Sequence, residues 1–184
     1  MVTVITICYN SIQFIEETIK SVISQDYKDV EYIIIDGGST DGTKEIIKQY
    51  ANRITYWCSC KDGGIYDAMN KGIDHTTGEW VCFMNSGDTF YQTDVISNIM
   101  RLKIPTEVQV LYGDVEMVYT DYAKIQKAYR IETINYRMPF CHQASFVKSR
   151  ILKQHKFNLQ YKIGADYNLF YSLYYFAGKD IFMY

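Results

Sequence analysis

The 184 residues, 48% hydrophobic and 22% charged with only 2 Pro, suffice for one domain or one domain with a short appendage, and exclude a disordered, linker-rich or collagen-like chain. Lys and Arg number 19 against 21 Asp and Glu, a net charge of −2, so no positive field exists to hold nucleic acid by its phosphates. The 5 cysteines, Cys8, Cys58, Cys60, Cys82 and Cys141, include one close pair, a C-x-C without zinc or thioredoxin spacing, and so point to a reducing, cytoplasmic compartment.

The run from Val2 to Ile7 is β-branched and nearly all apolar, the pattern of a strand buried on both faces of a parallel sheet. Ile12, Ile15, Ile19, Val22 and Ile23 then recur at helical spacing, with Asn10 or Ser11 as N-cap. The motif repeats: a strand from Val30 to Ile35, a polar turn from Asp36 to Gly42 and a helix from Thr43 to Ala51. Strands over Ile54 to Trp57 and Trp80 to Met84 enclose a helix over Tyr66 to Asp74. This β-α-β-α-β-α-β order predicts a mainly parallel α/β sheet with helices on both faces. Beyond about residue 105 the rhythm changes, with short strands over Val108 to Tyr112, Val115 to Tyr119 and Ala123 to Tyr129, one helix over Ala165 to Phe176, and an apolar Asp180 to Tyr184 that stops without a terminating signal. A division follows: 1–104 as the ligand-binding α/β half, and 105–184 as a smaller mixed α+β part closing over it, with its C-terminus expected to be cut short. The start lacks the features of a signal peptide, and no apolar run reaches the ~18 residues of a membrane span.

Open parallel sheets bind ligands beyond the carboxyl ends of their strands. Those ends carry Cys8-Tyr9-Asn10, Asp36-Gly37-Gly38, Lys61-Asp62-Gly63-Gly64 and Asn85-Ser86-Gly87-Asp88. Single Asp and Gly residues are ordinary turn formers, and Asp41 is read that way, but four strands ending alike mark a site. The first strand-to-helix turn has no glycine, so there is no G-x-G-x-x-G, and no G-x-x-x-x-G-K-[ST] occurs; dehydrogenase and P-loop readings fail. An acidic pocket that binds a diphosphate needs a divalent cation between the two sets of charge, and Asp88 is the best-placed ligand.

The segments Val4 to Asn10, Ile33 to Gly42, Asp62 to Gly72, Gly78 to Asp88 and Gly164 to Asn168 resemble, in order, the successive motifs of family 2 glycosyltransferases with the GT-A fold. The closest likeness is to the bacterial branch that builds exopolysaccharide, capsule or O-antigen. The resemblance implies a nucleoside wall of Tyr9, Asn10 and Asp36, where a carboxylate accepts from uracil N3–H. Many relatives carry two adjacent aspartates there, whereas this chain has Asp36-Gly37, leaving Asp62 as candidate for the second. It implies Asp67, Asn70 and Lys71 beside the donor sugar and diphosphate, with a solvated helix lysine as the alternative reading of Lys71. Asn85 to Asp88 takes the place of the D-x-D-type metal motif with its leading carboxylate replaced by Asn85, so that Asp88 alone would hold Mg²⁺ or Mn²⁺ with diphosphate oxygens and waters. Asp166 matches the catalytic base, and His142 the acceptor and diphosphate side.

The implied function is an inverting, metal-dependent transfer of a hexose-type sugar from a nucleotide-diphosphate donor, a UDP-sugar, to a saccharide or lipid-linked saccharide in surface polysaccharide synthesis. Its implied place is the cytoplasm or the inner face of the cytoplasmic membrane, with peripheral contact through Tyr171 to Tyr184. Two alternatives stand beside it. A nucleotidyltransferase would need a glycine-rich basic loop after the first strand, which Cys8 to Ser11 is not; a non-catalytic saccharide- or nucleotide-binding subunit on the same scaffold is kept open by Asn85.

Overall fold

Every residue of Val2–Cys8 (β1) is buried in the computed structural model, which describes residues 1–184. Alternate side chains of β1 serve different layers. Val2, Val4 and Cys8 pack with Ile15, Ile19 and Val22 of Ile15–Ile23 (α1), while Ile5 and Ile7 pack with Ala68, Met69 and Ile73 of Ile65–His75 (α3). Val30–Asp36 (β2) alternates likewise, with Ile34 on the α1 side, shared with Ile47 of Thr43–Gln49 (α2), and Ile33 and Ile35 on the other. The continuous apolar runs therefore reflect a sheet covered on both faces.

Tyr56–Ser59 (β3), Trp80–Phe83 (β4), Val95–Met100 (α4), Val110–Tyr112 (β5), Val115–Val118 (β6), Ala123–Gln126 (β7), Ser145–Lys148 (β8), Ser149–Gln154 (α5), Ala165–Ala177 (α6) and Phe182–Met183 (β9) complete the chain. The main sheet has 7 strands in the order β3-β2-β1-β4-β8-β5-β9. β1 pairs in parallel with β2 and β4, and β2 with β3; β8 is antiparallel to both β4 and β5, and β9 parallel to β5. β6 and β7 form a separate antiparallel ribbon, mostly exposed. No helix is long and apolar enough to cross a membrane.

The first helix starts later than its apolar spacing suggests. Ser11 O accepts from Phe14 N at 2.9 Å and from Ile15 N at 3.0 Å, closing a turn that leaves Ile12 44% exposed. The run Asp180 to Tyr184 yields β9 at the sheet edge. At the amino end of the strands, buried Glu31 accepts from Thr3 Oγ1 at 2.5 Å, Thr77 N at 2.8 Å and Thr77 Oγ1 at 2.7 Å. Burial pushes the Glu31 carboxyl up, but these bonds and one from Gly78 N outweigh it and hold the group below its ordinary range.

Candidate active site

The chain runs from β1 to β2 and β3 on one side and returns to β4 on the other, so β1 and β4 meet at the topological switch point, where such sheets place their crevice. Around it stand the four strand ends singled out from the sequence.

Asp36 has no exposed surface and organises its surroundings. Its Oδ2 accepts from Gly38 N at 3.2 Å, Ser39 N at 3.0 Å and Ser59 Oγ, and its Oδ1 from Ser39 Oγ and, at 3.6 Å, Cys8 Sγ. With both oxygens so engaged, Asp36 ties the ends of β1, β2 and β3 together and presents no free carboxylate edge to a base, unlike the wall contact expected of it. Burial, then Asp36, pushes the Cys8 thiol far up, so it stays a protonated donor. Tyr9 is 64% exposed. At Gly37 a Cβ would stand 2.8 Å from Asp62 Oδ2 and 3.3 Å from the Tyr9 ring; the glycine lets ring and carboxylate close over the β2 end. Asp62 Oδ1 accepts from Gly64 N at 2.9 Å, leaving Oδ2 on the Gly37 side. Asn10 adopts a left-handed φ of 46°, and its Oδ1 accepts from Thr40 N at 3.0 Å. Asp41 is a turn former as read: it accepts from Thr43 N and Ile12 N, each at 3.0 Å.

On the first turns of α3, Asp67 accepts from Gly63 N at 2.9 Å and pairs with Lys71 Nζ at 3.0 Å. The Gly63 bond, then Lys71, holds the Asp67 carboxyl below its ordinary range, and the same pairing raises the Lys71 ammonium. Asn70 turns elsewhere. Its Nδ2 donates to Phe157 O and its Oδ1 accepts from Phe157 N, both at 2.9 Å and buried, which fastens α3 to the segment leading into α6. The amide expected beside the donor is thus spent on backbone.

Beyond β4, Asn85 Oδ1 and Ser86 Oγ are buried without a protein partner, a costly state. Asp88 sits in the same turn and does not cap α4, whose N-cap is Asp94. Burial raises the Asp88 carboxyl above its ordinary range, against hydrogen bonds from the Gln143 side chain and the Asn85 turn. His142 is buried, its ring stacked on Phe83 at 5.3 Å between centroids, and its Nε2 also lacks a partner. Burial depresses its pKa and Asp166 only partly opposes this, so the imidazole stays neutral. Asp166, on the first turn of α6, accepts at Oδ1 from Tyr66 OH at 3.0 Å, and Tyr66 OH in turn accepts from Gly164 N at 3.1 Å. No protein donor reaches Asp166 Oδ2. The Cys141 thiol is raised by burial first, and further by both Asp88 and Asp166, which lie near it.

No three His, Cys, Asp or Glu side chains converge as a metal cage. What exists is one carboxylate, Asp88, in a turn with an unsatisfied amide oxygen. That donor set is all oxygen, suited to a hard cation that takes its other ligands from a bound diphosphate. Two groups carry roles the sequence did not disclose. Tyr66 positions Asp166 through its hydroxyl, and the Gln143 side chain bonds Asp88; both links join residues distant in the chain.

Residues 3–176 match the family described as glycosyl transferase family 2. A PGL/p-HBAD biosynthesis glycosyltransferase of Mycobacterium bovis is 31% identical over 153 residues, covering 80% of this chain and 59% of its own length. The chain thus spans about three fifths of the length of the curated relatives it matches. Among solved structures, S. aureus TarS 1-349 in complex with UDP superposes with a TM-score of 0.74 at 21% identity, over 92% of this chain and 53% of that one. Glucosyl-3-phosphoglycerate synthase of Mycobacterium tuberculosis, in complex with Mn²⁺, UDP and glucosyl-3-phosphoglycerate, gives 0.66 at 18% identity, over 100% and 68%. At these identities the likeness concerns the fold, which is GT-A.

Proposed function

The chain belongs to glycosyl transferase family 2, and on that premise we propose that it moves a sugar, with inversion, from a UDP-sugar to a hydroxyl of a saccharide acceptor in surface polysaccharide synthesis. The observation that carries the reading is the crevice at the switch point, where Asp88 and Asp166 both lie near Cys141 and three buried polar atoms, Asn85 Oδ1, Ser86 Oγ and His142 Nε2, have no protein partner. Residues 1–104 hold the nucleotide, with Tyr9 and the free oxygen of Asp62 at the base and Lys71 toward the diphosphate; residues 105–184 supply Asp166 and the acceptor side. UDP in a structure of the same fold supports the donor class.

Asp88, with Asn85 beside it, would hold Mg²⁺ or Mn²⁺ jointly with the donor, and the Mn²⁺ bound to a protein of the same fold supports this. When bound, such an ion offsets charge on the departing diphosphate. Tyr66 fixes Asp166 through Oδ1 and leaves Oδ2 for the acceptor hydroxyl. Asp166 takes that proton as the acceptor oxygen forms its bond to the anomeric carbon, and the bond to the diphosphate oxygen breaks on the opposite face, releasing UDP. His142, buried and neutral, offers Nε2 as one more polar contact on the acceptor side. Five unpaired cysteines support a reducing compartment.

Incubation with a panel of UDP-sugars, saccharide acceptors and Mn²⁺ tests the reading. Asp166→Asn is expected to lower transfer roughly 10²- to 10⁴-fold while donor binding persists. Saccharide binding indifferent to metal, with no UDP release by the parent protein, would instead assign a non-catalytic binding subunit.

A further inference from the structure

Between Phe83 at the end of β4 and Val95 at the start of α4 the chain has no regular structure, so its backbone groups need partners from elsewhere. One face of α1 supplies several. Thr18 and Ser21, with Gln25 just past the helix end, follow one another at helical spacing and reach this segment through five side-chain hydrogen bonds. Gln25 Nε2 donates to Gln92 O at 2.7 Å and its Oε1 accepts from Ile96 N at 3.2 Å, while Ser21 Oγ accepts from Phe90 N at 2.7 Å. Thr18 differs from both, because its bonds fall on the turn that carries Asp88. Its Oγ1 accepts from Gly87 N at 3.0 Å and donates to Asp88 O at 2.9 Å, and the residue has no exposed surface. The turn is closed by Asp88 N donating to Asn85 O at 2.9 Å and has a left-handed φ of 101° at Gly87. A threonine inside a helix can turn its hydroxyl back to the carbonyl one turn earlier, but Thr18 gives its single hydrogen to Asp88 O instead.

We infer that Thr18 is a positioning residue, whose hydroxyl fixes the backbone of Gly87 and Asp88 so that the Asp88 carboxylate stands where a divalent cation shared with the donor diphosphate meets it. The inference rests on the reading of Asp88 as a cation ligand and adds a residue that touches neither cation nor substrate. Two observations select Thr18 from the polar face of α1. Its two bonds bracket the Asp88 Cα, with the Gly87 N–H before it and the Asp88 C=O after it, whereas the bonds of Ser21 and Gln25 lie further along the segment. The site also has no redundancy. No three acidic, His or Cys side chains converge there, so the protein's hold on a cation depends on the placement of one carboxylate. The Gln143 side chain bonds that carboxylate but does not constrain the backbone beneath it.

The test is Mn²⁺ binding in the presence of UDP, read from the electron paramagnetic resonance signal of the free ion. Thr18→Val keeps the branched shape and loses the hydroxyl; it is expected to weaken Mn²⁺ binding by about 10- to 100-fold, the range for loss of a group that orients a metal ligand. Thr18→Ser, which retains the hydroxyl, should restore the parent affinity. Ser21→Ala removes the bond to Phe90 N, outside the turn, and should lower stability without moving Mn²⁺ affinity. Thr18→Ala, smaller and without an apolar branch against the turn, serves the same test where the valine variant does not fold. In a transfer assay the Thr18 variants lacking the hydroxyl should need more Mn²⁺ for half-maximal rate and recover at saturating Mn²⁺, whereas mere loss of folded protein lowers the rate at every Mn²⁺ level. Parent-like Mn²⁺ affinity in a folded variant without the hydroxyl, a loss that Thr18→Ser does not repair, or an equal loss in Ser21→Ala overturns the inference. A parent protein that binds UDP but no Mn²⁺ would instead refute the cation reading of Asp88, and the role of Thr18 with it.

Discussion

Asp88 carries a conflict that the rest of the site does not resolve. Its carboxyl is pushed above the ordinary aspartate value of 3.8 by burial, so ionising it at neutral pH costs stability. A raised folded-state pKa gives stability that is present at low pH and lost as pH rises through it. Asp88→Asn should therefore raise the urea or thermal midpoint at pH 7, with the gap closing as pH falls toward 3.8, while metal-dependent donor binding is lost. A lower midpoint for the variant at pH 7 would show the charge to be already compensated. Asp36, by contrast, is buried with a full set of donors. The sequence marks both acids by the same position at a strand end. It does not separate the framework acid from the free one, because that depends on which serines, Ser39 and Ser59, fold back onto the carboxylate.

At the scale of elements, α3 is held against the sheet at Gly72, where a Cβ would stand 2.6 Å from Ile5 Cγ2. Gly72→Ala gains about 0.8–1.0 kcal/mol of helix propensity. Overpacking against a fully buried strand costs about 1–3 kcal/mol, so the net change should be destabilising, measured as a lower urea midpoint with an unchanged slope. Gly72→Ala with Ile5→Val should recover little of the loss, because valine lacks only Cδ1, 3.3 Å from that Cβ, and keeps the Cγ2 methyl that meets it. The parallel strands and the helices facing them were legible because runs such as Ile33 to Ile35 and the spacing of Ile15, Ile19 and Val22 are dictated by burial alone. Boundaries set by single hydrogen bonds were not: the Ser11 turn displaces Ile12 from its helix, and α5 is only 6 residues long, too short to show a period. Nor does a pattern reveal that Ser145–Lys148 runs antiparallel between two strands, since the apolar alternation reads the same in either direction.

For the whole molecule, two buried groups set the acid response. His142 is depressed below its ordinary 6.5 by burial, so the unfolded chain takes up a proton first and stability falls as pH drops below 6.5. Glu31, held low by Thr3, Thr77 and Gly78 against its burial, gives stability that is present above its ordinary 4.5 and lost as pH falls below it. Thermal midpoints between pH 8 and 3 should decline in two stages, offset in the carboxylate range by Asp88. His142→Gln should remove the first stage and Glu31→Gln shrink the second, to which Asp67 also contributes. A single decline unaffected by His142→Gln would mean that the imidazole titrates alike in folded and unfolded chains.

β8 has a cost during synthesis. The strands that make up β3-β2-β1-β4 are complete at Phe83, yet the neighbour of β4 does not begin until Ser145, an interval of 145 − 83 = 62 residues. At about 5–20 residues per second, the ribosome takes roughly 3–12 seconds to deliver it. Throughout that time the Trp80 to Phe83 backbone is an open edge on an otherwise assembled nascent sheet, the feature most prone to capture by a strand of another chain.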